Sequence, residues 1–173
     1  MPPVQLCTLM ASQEEEVLAF HHDVKRNVID ACLKEVDFAV VDCNIPSKEE
    51  LMAATISEPI EWDAIESHTK FVNQSEESYQ EQSLAITTCI DAIDCYRDTL
   101  SQGSYTKNVG IRGFPGGGKT WCMTYCALYA VSKGLRVTTT AMMAKRALQI
   151  GGNHWHKLFI LPTEKILNPH RLT

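Results

Sequence analysis

The residues Gly113-Phe114-Pro115-Gly116-Gly117-Gly118-Lys119-Thr120 satisfy the spacing G-x-x-x-x-G-K-[ST] at every specified position. Each residue type in that spacing answers a demand of phosphate chemistry. Glycines at 113, 116, 117 and 118 let the backbone bend sharply and approach an anion with no Cβ in the way. Their amide N–H groups can converge on the anion, reinforced by the positive end of the helix that follows. Lys119 adds a full positive charge for the β- and γ-phosphates, and the Thr120 hydroxyl is placed to ligate Mg2+. Lys119 and Thr120 are therefore the candidate catalytic residues. Thr120 is also the candidate metal contact, and 113–120 with Trp121 form the candidate cofactor-binding segment. The expected ligands are ATP and Mg2+. The plain alternative is a glycine-rich turn that caps a helix.

Such a loop needs a strand before it and a helix after it, and the flanks read that way. Asn108 to Arg112 is a short strand, and an apolar helix runs from about Lys119 to Ser132. Lys133-Gly134 ends that helix, and the β-branched run Leu135 to Thr140 reads as a second strand. A helix over Met142 to Gln149, the pair Gly151-Gly152 and an apolar run from Leu158 to Leu161 follow. Strand, loop, helix, strand, helix is the opening of a parallel α/β sheet. Upstream, residues 14–38 form an amphipathic helix with Val17, Val24, Val28, Cys32 and Val36 on its stripe. Glu14-Glu15-Glu16 reads as favourable charge at its N-terminus. Ser47 with Glu50 predicts a capping box. Residues 57–82 are polar and read as a linker or loosely packed segment. From Ser83 a second amphipathic helix carries Ile86, Ile90 and Ile93 and stops before Gly103. The expected division is an acidic, mainly helical region over 1–72, a linker over 73–82, and an incomplete P-loop domain over 83–173.

Hydrophobic residues are 45% of the 173, and charged ones 21%, the values of a globular chain. A membrane helix needs about 20 consecutive apolar residues, and no such run exists. With a start unlike a basic signal peptide, an intracellular site in nucleus or cytoplasm is expected, with no membrane contact. The net charge of −5 hides an asymmetry: residues 1–100 sum to −14 and residues 101–173 to +9. A basic half that holds the phosphate loop suits a polyanion, nucleotide or nucleic acid, or else a solvated charged face. Seven cysteines include no C-x-x-C pair. Cys122 and Cys126 share a helix face, as buried apolar residues or half of a metal site.

The segment after the loop adds a resemblance. Gly134 to Ala147, leading into Gly151-Gly152-Asn153-His154-Trp155-His156-Lys157-Leu158-Phe159, resembles the first lobe of superfamily 1 DNA helicases of the RecD/Pif type, including those of Helitron-like elements. Gly151, Gly152, His156 and Phe159 match that family's G-G-x-T-x-H-x-x-F, with His154 standing where threonine is usual. Ala141-Met142 replaces the usual Thr-Gly pair. The resemblance, over roughly Gln82 to Pro162, implies a RecA-like fold, ATP-driven movement of single-stranded DNA, and nucleic-acid contacts at Thr139, Thr140 and His156. It also implies that Gln82 reads adenine, since an amide both donates and accepts, with Gln80 and Gln74 as rivals.

Hydrolysis further needs a carboxylate pair, and Glu164 is the sole acid after Thr120. The second lobe with its arginine finger is also missing. The expectation is the ATP-binding portion of a helicase, a fragment or degenerate remnant with slow or no turnover. A non-catalytic nucleotide-binding module or a P-loop kinase are the rivals. Two plainer readings stand beside the resemblance: His154 and His156 as metal ligands, and Trp121, Trp155 and Phe159 as base-stacking or core residues.

Overall fold

Helix α5 (Lys119–Ser132) carries apolar residues on every side, and a helix of that kind needs cover all round. In the computed structural model, which describes residues 3–36, 43–74, 79–100 and 107–159, it receives cover from other helices except along the face of Met123 and Ala127, which lines a cleft. These are α1 (Pro3–Val36), α2 (Lys48–Ala53), α3 (Ala64–Gln74) and α4 (Gln80–Thr99). Beyond α5 come β1 (Thr140–Ala141), α6 (Ala144–Gln149), β2 (Asn153–His154) and α7 (Trp155–Leu158).

The expected RecA-like parallel sheet is not the architecture. Among the described residues the chain is mostly helical, with one two-stranded parallel ladder pairing Thr140 with Asn153 and Ala141 with His154. Residues 108–112 and 135–139 have strand-like composition but carry no strand. The physical reason is that a strand has no internal hydrogen bonds and exists only beside a partner. The described chain offers those two segments none, whereas the helices bury their apolar faces directly on one another.

A single cluster forms the core. Val28, Ile29, Cys32 and Val36 of α1 meet Ile86 and Ile90 of α4 and Tyr125, Leu128 and Val131 of α5. It takes members from both sides of residues 73–82, and Gln80 to Gln82 already belong to α4. Each large apolar side chain removed from water there contributes about 1.5–3 kcal/mol before the entropy of ordering it. Several polar atoms that enter the core find partners, whereas Trp121 Nε1 is buried with none among the described residues. The Tyr125 hydroxyl donates to Ala64 O at 2.8 Å, Trp62 Nε1 donates to Cys43 O at 3.3 Å, and the Tyr129 hydroxyl donates to Asp94 at 2.9 Å.

Several local expectations are revised. The polar stretch 57–82 contains α3, whose Ser67 and His68 are buried, so it is part of the packed body. Helix α1 starts at Pro3, which puts Glu14-Glu15-Glu16 inside the helix and away from its N-terminal dipole. Its stripe is buried only from Val28 onward, and Val17, Leu18 and Phe20 are exposed. The capping box is present, with Ser47 N donating to Glu50 Oε2 at 2.7 Å and Glu50 N donating to Ser47 Oγ at 3.2 Å. Residues 160–161 of the apolar run, Glu164 and the Gln74 side chain lie outside the described residues.

His68 is nearly inaccessible, packs on Trp121 and Tyr125, and shares a 2.9 Å hydrogen bond between Nδ1 and Ser83 Oγ. Burial holds its pKa below the ordinary 6.5. The folded form therefore prefers the neutral ring, while the unfolded chain takes up a proton near its ordinary value. The stability from this group is complete above pH 6.5 and is lost as pH falls below it. Melts from about pH 7.5 down to about pH 5 should show a falling Tm that flattens in His68→Gln. Parallel pH profiles for the two proteins would remove His68 as the cause.

Candidate functional site

The glycine loop at residues 113–118 leads directly into α5, and its backbone has the bends that the glycines permit. Gly116 has φ 82° and Gly118 has φ 73°, both left-handed, and Gly118 is the residue that starts α5. With no side chain at that position, no side-chain acceptor caps the helix, and its first turn holds no acidic residue. The N–H groups of Gly118, Lys119, Thr120 and Trp121 precede any intrahelical acceptor, the first such bond being Cys122 N to Gly118 O at 3.0 Å. That leaves a row of donors at the positive end of a 14-residue helix, which is where an anion is stabilised.

Lys119 closes the loop on itself. Its Nζ donates to Gly113 O at 2.8 Å and to Phe114 O at 2.6 Å, and Gly117 N donates to Phe114 O at 3.2 Å. The ammonium thus stands across the loop, held by two neutral carbonyls that a phosphate oxygen would outcompete as an acceptor. Phe114 and Pro115 project outward, Phe114 at 89% exposure, so their contribution to this geometry is backbone alone. Trp121 lends its backbone N–H to the first turn, but its ring turns into the core, stacked on Tyr125 at 5.2 Å. Gln82 comes to the loop, with Nε2 3.4 Å from Gly117 O, and a Cβ on Gly118 would collide with its amide.

Thr120 faces a different neighbour. Arg146 of α6 donates from Nη2 to Thr120 Oγ1 at 3.1 Å and from Nη1 to Gln149 Oε1 at 3.0 Å. Both Thr120 and Arg146 line a cleft of about 890 Å3 between α4, α5 and residues 107–111 and 135–141. Lys107 and Arg136 also line it, with Arg136 Nη1 3.4 Å from His21 Nε2 of α1, and no Asp or Glu is among the described residues lining it. Sequence reading missed Arg146. The positive sum over 101–173 marked the right half of the chain, but 26 positions separate Arg146 from Thr120, and only the fold joins them.

A Mg2+ ion would have to approach a hydroxyl that already accepts from the Arg146 guanidinium, with no carboxylate among the described lining residues to help hold it. The residues as arranged do not fit a divalent cation at Thr120.

The expected nucleic-acid contacts are brought partly together. Thr139 and Thr140 line the cleft with Thr120. However, Thr139 Oγ1 donates to Ile150 O at 2.8 Å and its carbonyl accepts from Asn153 N at 3.1 Å, so its hydroxyl also secures the α6–β2 turn. His156 follows β2 and stacks on His154 at 5.0 Å, its Nδ1 buried with no hydrogen-bond partner. Trp155 and Phe159 meet edge to face at the surface. The Gly151-Gly152 pair has a local duty. Gly151, φ 65°, and Gly152 close α6 through bonds to Leu148 O at 3.2 Å and Ala147 O at 2.9 Å. A Cβ on Gly151 would strike the Asn27 backbone, and one on Gly152 would strike Thr139.

Cys122 and Cys126 lie on the buried face of α5, where the Cys126 thiol meets Cys89 of α4. Their interaction favours one thiolate of the pair at the expense of the other, and burial raises Cys126. Burial pushes Cys122 up to about 11.

No described helix is long and apolar enough to cross a membrane. No family model, curated protein or solved structure matches this chain.

Proposed function

We propose that residues 113–120 bind the phosphate tail of a nucleoside triphosphate, ATP by the resemblance, and that the chain serves as a nucleotide-binding module. One observation carries the reading: the Lys119 ammonium and an uncapped first helical turn adjoin the same glycine loop, which bends left-handed at Gly116 and Gly118. Gln82, touching that loop, is the side chain best set to sense the nucleotide. Turnover is not part of the proposal, because no carboxylate stands with Thr120 among the described lining residues.

A second reading, the DNA-handling part of a helicase, is favoured by Lys107, Arg136 and Arg146 standing in one cleft with Thr139 and Thr140. Calorimetric titration with ATP, ADP and AMP tests the first reading. Affinity should fall as phosphates are removed; equal affinity for all three, or none for any, would defeat it. A labelled single-stranded oligonucleotide tests the second. Three phosphate contacts predict a log–log salt slope of roughly −2, and a flat salt response would exclude the cleft.

A further inference from the structure

We propose that the Arg146 guanidinium, in place of a divalent cation, is the positive partner of Thr120 and of the bound phosphates, so that triphosphate binding at residues 113–120 proceeds without Mg2+. The inference rests on the nucleotide reading of that loop and goes beyond it by naming the counter-charge.

Three observations carry it. First, Arg146 already occupies the hydroxyl that a metal would use, with Nη2 3.1 Å from Thr120 Oγ1. Second, its fork is oriented in advance. Nη1 is held by Gln149 Oε1 at 3.0 Å on the same helix, so one arm is anchored and the other extends to the loop. The helix is itself held in place by the turn at Gly151, which sits against the Asn27 backbone of α1, and by the β1–β2 ladder. Third, the described residues lining the cleft include Lys107 and Arg136 and no Asp or Glu, with Asp91 beside Lys107 in the adjoining groove and Arg136 Nη1 3.4 Å from His21 Nε2 of α1. The acid of α4 with a bonded partner, Asp94, is taken up by Tyr129. Tyr129 lies nine residues beyond Thr120 on α5, about 13 Å along the axis.

A dication driven to Thr120 would meet this guanidinium at contact distance, and one of the two would have to leave. A phosphate oxygen arriving there meets Lys119 from the loop and Arg146 from α6. Arginine suits that task because its planar donors match a phosphate edge and its charge does not titrate in the working range.

The test is ATP affinity, by calorimetry, in chelator and again in excess MgCl2, for the wild type, Arg146→Ala and Arg146→Lys. Arg146 is exposed, and a thermal melt of each variant checks that the fold persists. The expected result is a wild-type affinity that changes less than about threefold on removing Mg2+. In chelator, Arg146→Ala should lose about tenfold or more, with the loss partly recovered on adding Mg2+ and partly restored by Arg146→Lys. A wild-type protein that needs Mg2+ for tight binding, or an Arg146→Ala variant that binds like the wild type in chelator, overturns the proposal while the nucleotide reading stands. Absence of ATP binding by the wild type in both buffers overturns both, and that pattern differs from either of the other two.

Discussion

Lys119→Ala is expected to abolish triphosphate binding and to leave the protein folded. The ammonium is the one full charge within the loop itself, and its present acceptors are two neutral carbonyls, Gly113 O and Phe114 O. A charge-assisted bond to phosphate contributes about 1.5–3 kcal/mol, and a lysine that bridges two phosphates makes two, so affinity falls by a factor of order 10² to 10⁴. The fold loses little. Lys119 is half-exposed, and a cation in the first turn opposes the helix dipole, which offsets part of what its two loop bonds contribute. The melting temperature should move by no more than about 4 °C. Calorimetry with ATP and a melt on the same sample check both halves. Affinity retained within about threefold would remove residues 113–120 as the site.

Gly134→Ala is expected to be the most damaging single methyl group. Gly134, φ 76°, ends α5 through its N–H to Val131 O at 2.8 Å, while Leu135 N reaches Ala130 O at 3.0 Å. An alanine in that left-handed geometry costs roughly 1–2 kcal/mol by sterics alone. Its Cβ would also collide with the backbone at Thr55 and Ile56, which no rotamer change relieves. Backbone displacement brings the total to about 3 kcal/mol or more, lowering the melting temperature by roughly 6–12 °C. Gly110→Ala is the control, because nothing lies within 4 Å of a Cβ there. It should melt within about 2 °C of the wild type. Coincident melting of all three proteins would mean that the 54–56 segment gives way freely and the close approach carries no stability.

How much could be read in advance depends on the range of the interaction. The capping box at Ser47 and Glu50, the glycine stop after α5 and the left-handed bends at Gly116 and Gly118 are local. Each is written within about six residues, so residue type and spacing suffice. Helix α3 escaped notice because the polar composition around it hid its helical period, in which Ala64, Ile65, His68 and Val72 fall at i, i+1, i+4 and i+8. The Arg146–Thr120 contact was out of reach for a different reason, since nothing in sequence spacing couples positions 26 apart.

The sheet marks the same boundary. Residues 108–112 and 135–140 have the β-branched composition of strands, and composition by itself specifies a preference for extended backbone. Whether that preference becomes a strand depends on hydrogen-bond partners from elsewhere in the chain, and among the described residues only Thr140 and Ala141 find them. What sequence alone determined is the bend of the glycine loop and the helix ends around it, because backbone torsions and short-range donors decide those. Tertiary structure decided that α5 is wrapped by helices, that Gln82 and Arg146 reach the loop, and that cations line the adjoining cleft, because burial and charge act between residues the chain brings together only on folding.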